Sequence, residues 1–313
     1  MIALGRAEVE ALLEPDALIE AVRSALLDVS AGRASMPPRI AALAADRVGL
    51  LGAMAAWVPS LDVLAAKLVT LFPANTAVPT HQAVIIVFDP RNGTPVALLD
   101  GTAITAQRTA AASALATRLL ARDDAQVLAI LGTGVQAESH ARYVRRVRKF
   151  REVRVAGRDP ARVQALAARL GATAAADFES AVRGADVVCA TTHAGEPVVR
   201  RVWLKDGAHV NSVGFHPEGS ELETAVLRGV ILAVESRASA FAPPPAGAVE
   251  LRGFDPAAAV ELGELAAGTR AGRTERGQIT VYKSVGVAAE DAAAAALVLR
   301  LAAGRGSGAP VRL

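Results

Sequence analysis

A single cysteine in 313 residues, Cys189, excludes an internal disulfide and a metal cage built on thiolates. It lies in the apolar run after Asp186 and reads as a small buried hydrophobe. Five histidines are scattered along the chain and complete no ligand set, so no metal site is expected. Aromatic residues are scarce at 4%, while hydrophobic residues reach 52% with much alanine, a balance suited to close-packed α/β layers. No apolar run approaches the ~18 residues of a membrane span. The opening MIALGRAEVEALLEPD carries acids where an export signal is apolar, so a cytoplasmic protein without membrane contact is expected. An excess of one charge is lacking too. A net +3 is too small to imply a nucleic-acid partner. The one basic cluster, RYVRRVRKFREVR, places Arg142, Arg145, Arg146 and Lys149 on one helical face and reads as a solvated surface.

What the chain does have is VLAILGTGVQA, from Val127 to Ala137. It reads as a buried strand, a tight turn and a helix start, the order a dinucleotide requires. Gly132 permits the sharp bend, and Gly134 lets backbone approach a pyrophosphate. The helix opening near Val135 offers unpaired N–H groups and a positive dipole end. The third small residue of such a fingerprint is Ala137. Gly132, Thr133, Gly134, Val135 and Gln136 are therefore the expected cofactor contacts. A second strand, Val153 to Ala156, follows and ends in Gly157-Arg158. An acid there would bind the ribose hydroxyls of NAD, whereas a small residue followed by arginine leaves room and charge for a 2′-phosphate. Asp159 precedes Pro160 and reads as the cap of the next helix. The expected cofactor is NADP, with NAD the alternative.

Helical spacing over residues 8 to 29, then β-rich text from Val48 to Leu71 broken by Pro59, opens the chain. Two β-rich runs flank Asp89-Pro-Arg-Asn-Gly93, a hairpin signal. Thr102 or Thr105 is the expected cap of the helix that follows. From Val127 onward, strands alternate with helices in the rhythm of a parallel sheet. A last strand, Ile279 to Lys283, precedes an alanine-rich helix. The fold class is α/β: a Rossmann dinucleotide-binding domain (119–283) plus an α+β substrate and dimerisation domain (1–118 with 284–313) to which the C-terminal helix returns.

Several segments carry a resemblance: AAKLVTLFPAN, FDPRNGTPVALLDGTAITAQRTAAASALAT, ILGTGVQAESH, VNSVGFHPEGSELE and ITVYKSVGVAAED. Over residues 39 to 291 the chain resembles the ornithine cyclodeaminase/mu-crystallin family, on the side of its ketimine and imine reductases. The resemblance implies a homodimer joined through the N-terminal domains and a small imino- or amino-acid substrate. It also implies hydride transfer between nicotinamide and a carbon bearing nitrogen. It places Arg39, Lys67 and Arg108 at the substrate carboxylate, a role suited to cations that form charge-assisted bonds. By composition alone Lys67, inside an apolar strand, and Arg108, inside an alanine-rich helix, admit a plain ion pair with Asp100 or Glu290. Arg33 is a rival to Arg39. Lys67 is also a candidate proton donor.

One departure concerns the segment Val213 to Pro217, where the cyclodeaminases carry an aspartate. Here Phe215 and His216 follow Gly214, and Glu218 is the nearest acid. His216 is a candidate proton relay. The stretch Gly49 to Ser60 also lacks an acid for the terminal ammonium of ornithine. The expected function is NAD(P)H-dependent reduction of C=N bonds in α-imino acids. The alternatives are ornithine cyclodeamination and non-catalytic NADPH binding.

Overall fold

The computed structural model describes every residue except Pro217, Glu218, Pro244, Pro245 and Leu313, and every side chain but those and Arg47. The chain divides into two compact units, Met1–Arg108 with Gly286–Leu313, and Thr109–Val285.

The first unit contains β1 (Ile2–Leu4), α1 (Arg6–Leu12), α2 (Pro15–Ser30), β2 (Ile40–Leu43), β3 (Leu50–Val58), β4 (Val63–Leu71), β5 (His81–Phe88) and β6 (Pro95–Asp100). The sheet runs β1-β6-β5-β4-β3-β2, extended beyond β1 by the short strand Ala309–Pro310. The long strands β2 to β6 pair antiparallel, and only β1 and β6 are parallel. Alternation decides which side chains enter the core. Met54, Ala56 and Val58 of β3, Ala65 and Lys67 of β4, and Ala83, Ile85 and Val87 of β5 are buried. The intervening Leu51, Trp57, Leu68 and Val84 are exposed. Helix α2 buries Leu18, Ile19, Val22 and Leu26. The C-terminal helix, Ala288–Arg305, lies against α2, β3 and β4, and its alanines permit close approach. The same alternation that builds this core carries Lys67 into it, directly between Met54 and Ile85.

Helix α3 (Gly101–Leu120) is capped by neither threonine. The Asp100 carboxylate accepts from the Ala103 N–H at 2.7 Å. Thr102 Oγ1 accepts from the Ala83 N–H, and Thr105 Oγ1 bonds back to the Gly101 carbonyl. The carboxylate is the stronger acceptor for helix N–H groups, which leaves the hydroxyls to other partners.

The second unit holds β7 (Val127–Leu131), α4 (Val135–Val147), β8 (Glu152–Ala156), α5 (Pro160–Leu170), β9 (Thr173–Ala174), α6 (Phe178–Val182), β10 (Val187–Ala190), β11 (His209–Ser212), β12 (Ile231–Val234), α7 (Arg237–Ala240), β13 (Val260–Glu261), α8 (Leu262–Ala267) and β14 (Thr280–Lys283). They form an all-parallel sheet of order β13-β12-β14-β11-β10-β7-β8-β9. Every residue of β7 and β10 is buried, as strands covered on both faces must be. This is the α/β dinucleotide-binding architecture. From β7 the chain moves outward to β8 and β9, then crosses to β10 on the other side. Strand order reverses there, and ligands of such sheets sit outside the carboxyl ends at that point. No described helix is long and apolar enough to cross a membrane.

Candidate active site

Lys67 on β4, Arg108 on α3, and Glu290 and Asp291 in the first turn of the C-terminal helix meet inside the first unit. Their exposures are 3%, 5%, 0% and 2%. Lys67 Nζ stands 2.7 Å from Asp291 Oδ2. Arg108 donates through Nε to Asp291 Oδ1 at 2.9 Å and through Nη1 to Glu290 Oε2 at 2.7 Å. One carboxylate thus bridges both cations, and the second fixes the guanidinium plane. Gly286, with φ +67°, accommodates this arrangement. A Cβ there would lie 2.5 Å from Arg108 Nη1, so any side chain would collide with the guanidinium. Arg39, half-buried, donates from Nη2 to the Gly286 carbonyl at 2.7 Å.

Arg33 plays no part in this cluster. Its Nε and Nη2 bind Asp28 Oδ1 at 2.9 and 2.7 Å, and Asp28 also accepts from the Ser60 N–H. Asp100 is not the partner of Lys67 or Arg108 either; its ion pair is with Arg6, at 3.9 Å.

Electrostatics follow from this geometry. Burial pulls the Lys67 ammonium down to about 8; Asp291 opposes that shift, while Arg108 and Arg39 add to it. Burial alone would raise the Asp291 carboxyl, but Arg108 and Lys67 outweigh it and hold the group below the ordinary range. His81 lies on the same sheet face as Lys67. Burial, and then the charges of Lys67 and Arg108, push it down to about 4, so it is neutral near pH 7.

In the second unit, Gly132 adopts φ +118°, and a Cβ there would meet Thr191 Oγ1 at 2.8 Å. Gly134 is the N-cap of α4, and a Cβ on it would meet nothing within 4 Å. The first N–H groups of a helix have no intrahelical partner, and Val135 is exposed beside them. The Gln136 Oε1 is buried without a hydrogen-bond partner among the described residues. An open glycine cradle, helix N–H groups and an unsatisfied amide oxygen fit a dinucleotide phosphate and its ribose. At the end of β8, Arg158 is exposed. Asp159 accepts from the N–H groups of Ala161 and Arg162 and caps α5, as its sequence position implies. Cys189 is buried, and its thiol is pushed up to about 12.

His216 lies half-buried after β11. Its ring centroid is 5.3 Å from that of His193 in the loop after β10. Glu218 falls outside the described residues. The structure therefore brings Arg39, Lys67 and Arg108 together in one unit, and sets Gly132 to Gln136, Arg158 and His216 in the other.

Sequence reasoning missed Asp291. Its signal was two adjacent acids in an otherwise alanine-rich helix, where buried charge needs a partner. It also missed Glu221 and Lys283, buried in the second unit.

A profile of the ornithine cyclodeaminase/mu-crystallin family matches residues 1–305. The chain is 40% identical to the ketimine reductase mu-crystallin of Mus musculus over 289 residues, covering 90% of each. The fold matches that of the Thermococcus litoralis Delta(1)-pyrroline-2-carboxylate reductase in complex with NADH and L-proline, with a TM-score of 0.93. That match has 33% identity and covers 99% of this chain and 100% of the other. An archaeal alanine dehydrogenase dimer with bound NAD matches with a TM-score of 0.90 and 29% identity, over 100% and 99% of the two chains.

Proposed function

The chain belongs to the ornithine cyclodeaminase/mu-crystallin family, and from that premise we propose that it reduces cyclic α-imino monocarboxylates at the Arg39–Lys67–Arg108 cluster. It is an NAD(P)H-dependent oxidoreductase acting on C=N bonds. The observation that carries the substrate assignment is the buried, bridged cluster itself. Lys67 and Arg108 meet the two acids there, and Arg39 reaches the same place through the Gly286 carbonyl, so cations suited to a substrate carboxylate converge in one buried spot. The residues paired across from Lys67, Met54 and Ile85, are apolar and offer nothing to a second ammonium. That disfavours ornithine and suits a ring of methylenes.

Reducing C=N adds a hydride to carbon and a proton to nitrogen. When bound at the cradle from Gly132 to Gln136, the reduced nicotinamide supplies the hydride. Arg108, its plane set by Glu290 and Asp291, holds the carboxylate with Arg39. Lys67 gives its proton to the nitrogen, and a lysine pulled to about 8 does this more readily than one at its ordinary value. The test is absorbance decay of NADPH with a cyclic ketimine monocarboxylate. Stoichiometric loss is expected. Ammonia release from ornithine with no net NADPH consumption would contradict it.

NADPH is the preferred cofactor in this reading. Arg158 stands at the end of β8, and Asp159 is engaged at the start of α5. Arg158→Ser is expected to raise the KM for NADPH roughly 10- to 100-fold, the worth of one charged hydrogen bond, with the KM for NADH little changed. Equal losses with both cofactors would remove Arg158 from the 2′-phosphate.

The outer face of the first unit's sheet supports a homodimer. Ile40, Leu51, Leu68 and Val84 share that face on neighbouring strands and are 39 to 71% exposed, and apolar patches of that kind mark interfaces. Light scattering is expected to give a dimer for the native chain and a monomer for Leu68→Glu/Val84→Glu. A monomeric native chain would overturn the assignment.

A further inference from the structure

Two buried side chains of opposite charge stitch together the carboxyl ends of β10, β11 and β14. Glu221 is 2% exposed and Lys283 is 1%. Glu221 Oε1 accepts from the Ser212 hydroxyl at 2.8 Å and the Gly214 N–H at 2.7 Å. Its Oε2 accepts from the Thr192 N–H at 3.1 Å and the Thr192 hydroxyl at 2.9 Å. From β14, Lys283 Nζ donates to the Gly214 carbonyl at 2.8 Å and to Ser212 Oγ at 3.2 Å, and pairs with Glu250 at 2.9 Å. Both backbone polar groups of Gly214 are thus held by buried charges, with the Ser212 hydroxyl linking the two. A Cβ on Gly214 would lie 2.2 Å from the Thr192 carbonyl oxygen and 2.4 Å from Glu221 Oε2, so the peptide is seated as closely as glycine permits.

Burying ions is a costly way to end a strand, and β11 has already finished at Ser212. What the pair fixes is the segment Gly214–His216 as it leaves the sheet. In a doubly wound sheet the dinucleotide lies across the carboxyl ends of the strands at the switch point. The loops after β10 and β11, on one side of that point, border its reacting half.

We propose that Glu221 and Lys283 are a positioning pair that sets the Gly214–His216 segment against the nicotinamide, so that the ring is held at hydride-transfer distance. The proposal rests on the dinucleotide reading above. Neither residue touches the reacting atoms. They act through the Gly214 peptide, and a displacement of about 1 Å there costs up to roughly 100-fold in rate.

The test compares Ser212→Ala, Glu221→Gln and the double variant Lys283→Met/Glu250→Gln, which removes both charges of the buried ion pair. NADPH affinity is read by its fluorescence, and the transfer step by single-turnover stopped flow at saturating imine. The expected result is an NADPH Kd within about threefold of native and a single-turnover rate constant 10- to 100-fold lower. A purely structural role would lower the melting temperature and the burst amplitude, yet leave the rate constant of the active fraction unchanged. That outcome in all three variants would overturn the proposal. A native chain that binds no NADPH would instead overturn the dinucleotide reading and the positioning role with it.

Discussion

Replacing Lys67 with methionine is expected to lower kcat/KM for a cyclic ketimine carboxylate by about 10²–10⁴-fold, the usual worth of a positioned proton donor. NADPH affinity should stay within a few-fold of native, because the cofactor cradle is built from other residues. Lys67 is buried beside Asp291 at 2.7 Å, so its charge is specifically placed. The pH dependence carries the same signature. Lys67 donates only while protonated, so activity should be full below about pH 8 and fall as pH rises through that value. Asp291 raises the Lys67 value, so Asp291→Asn should move this alkaline limb to lower pH. Steady-state kinetics between pH 6 and 10 measures both effects. A Lys67→Met rate within threefold of native, or an unmoved limb in Asp291→Asn, would remove Lys67 as the donor.

Arg108→Met should cost stability as well as activity. It strips Glu290 and Asp291, both buried, of the guanidinium that pairs with each of them, and breaking a buried pair from one side costs about 3–5 kcal/mol. The melting temperature should fall by roughly 10 °C. Adding Glu290→Gln removes one of the stranded charges and should restore part of that loss without restoring activity, since the carboxylate clamp is still absent. Calorimetry on the single and double variants checks this. No destabilisation in Arg108→Met would mean that the two acids are neutral in the folded chain. By contrast, Arg39 is half-buried and donates to the Gly286 carbonyl, and Arg39→Met should raise the KM for the imine with a smaller thermal change than Arg108→Met.

Much of this was legible because the relevant information is local. The alternation from Leu50 to Val58 and from Val63 to Leu71 states which side chains enter the core, and Lys67 stands out as a charge at an inward position. The strand, glycine turn and helix start from Val127 to Gln136 are likewise written within a few residues. The cap role of Asp159 follows from the proline beside it. What resisted reading depends on pairing across long separations. Asp291 lies 183 residues beyond Arg108, and no spacing rule links a β4 lysine to the first turn of the last helix. The choice between Arg33 and Arg39 turns on Asp28, which takes Arg33 for itself. The cap of α3 falls to Asp100, the stronger acceptor, while the threonine hydroxyls bond to Ala83 and Gly101. Glu221 and Lys283 look like ordinary surface charges in the sequence, and only the crowding around Gly214 gives them a role.

The most direct measurement follows one atom. NADPH carrying deuterium at the transferable C4 position is incubated with a cyclic ketimine carboxylate, and the product is examined by mass spectrometry and NMR. One deuterium per product, on the carbon bearing both nitrogen and carboxylate, is the expected result for C=N reduction at this site. Deuterium retained in the cofactor pool while ornithine yields ammonia would contradict it.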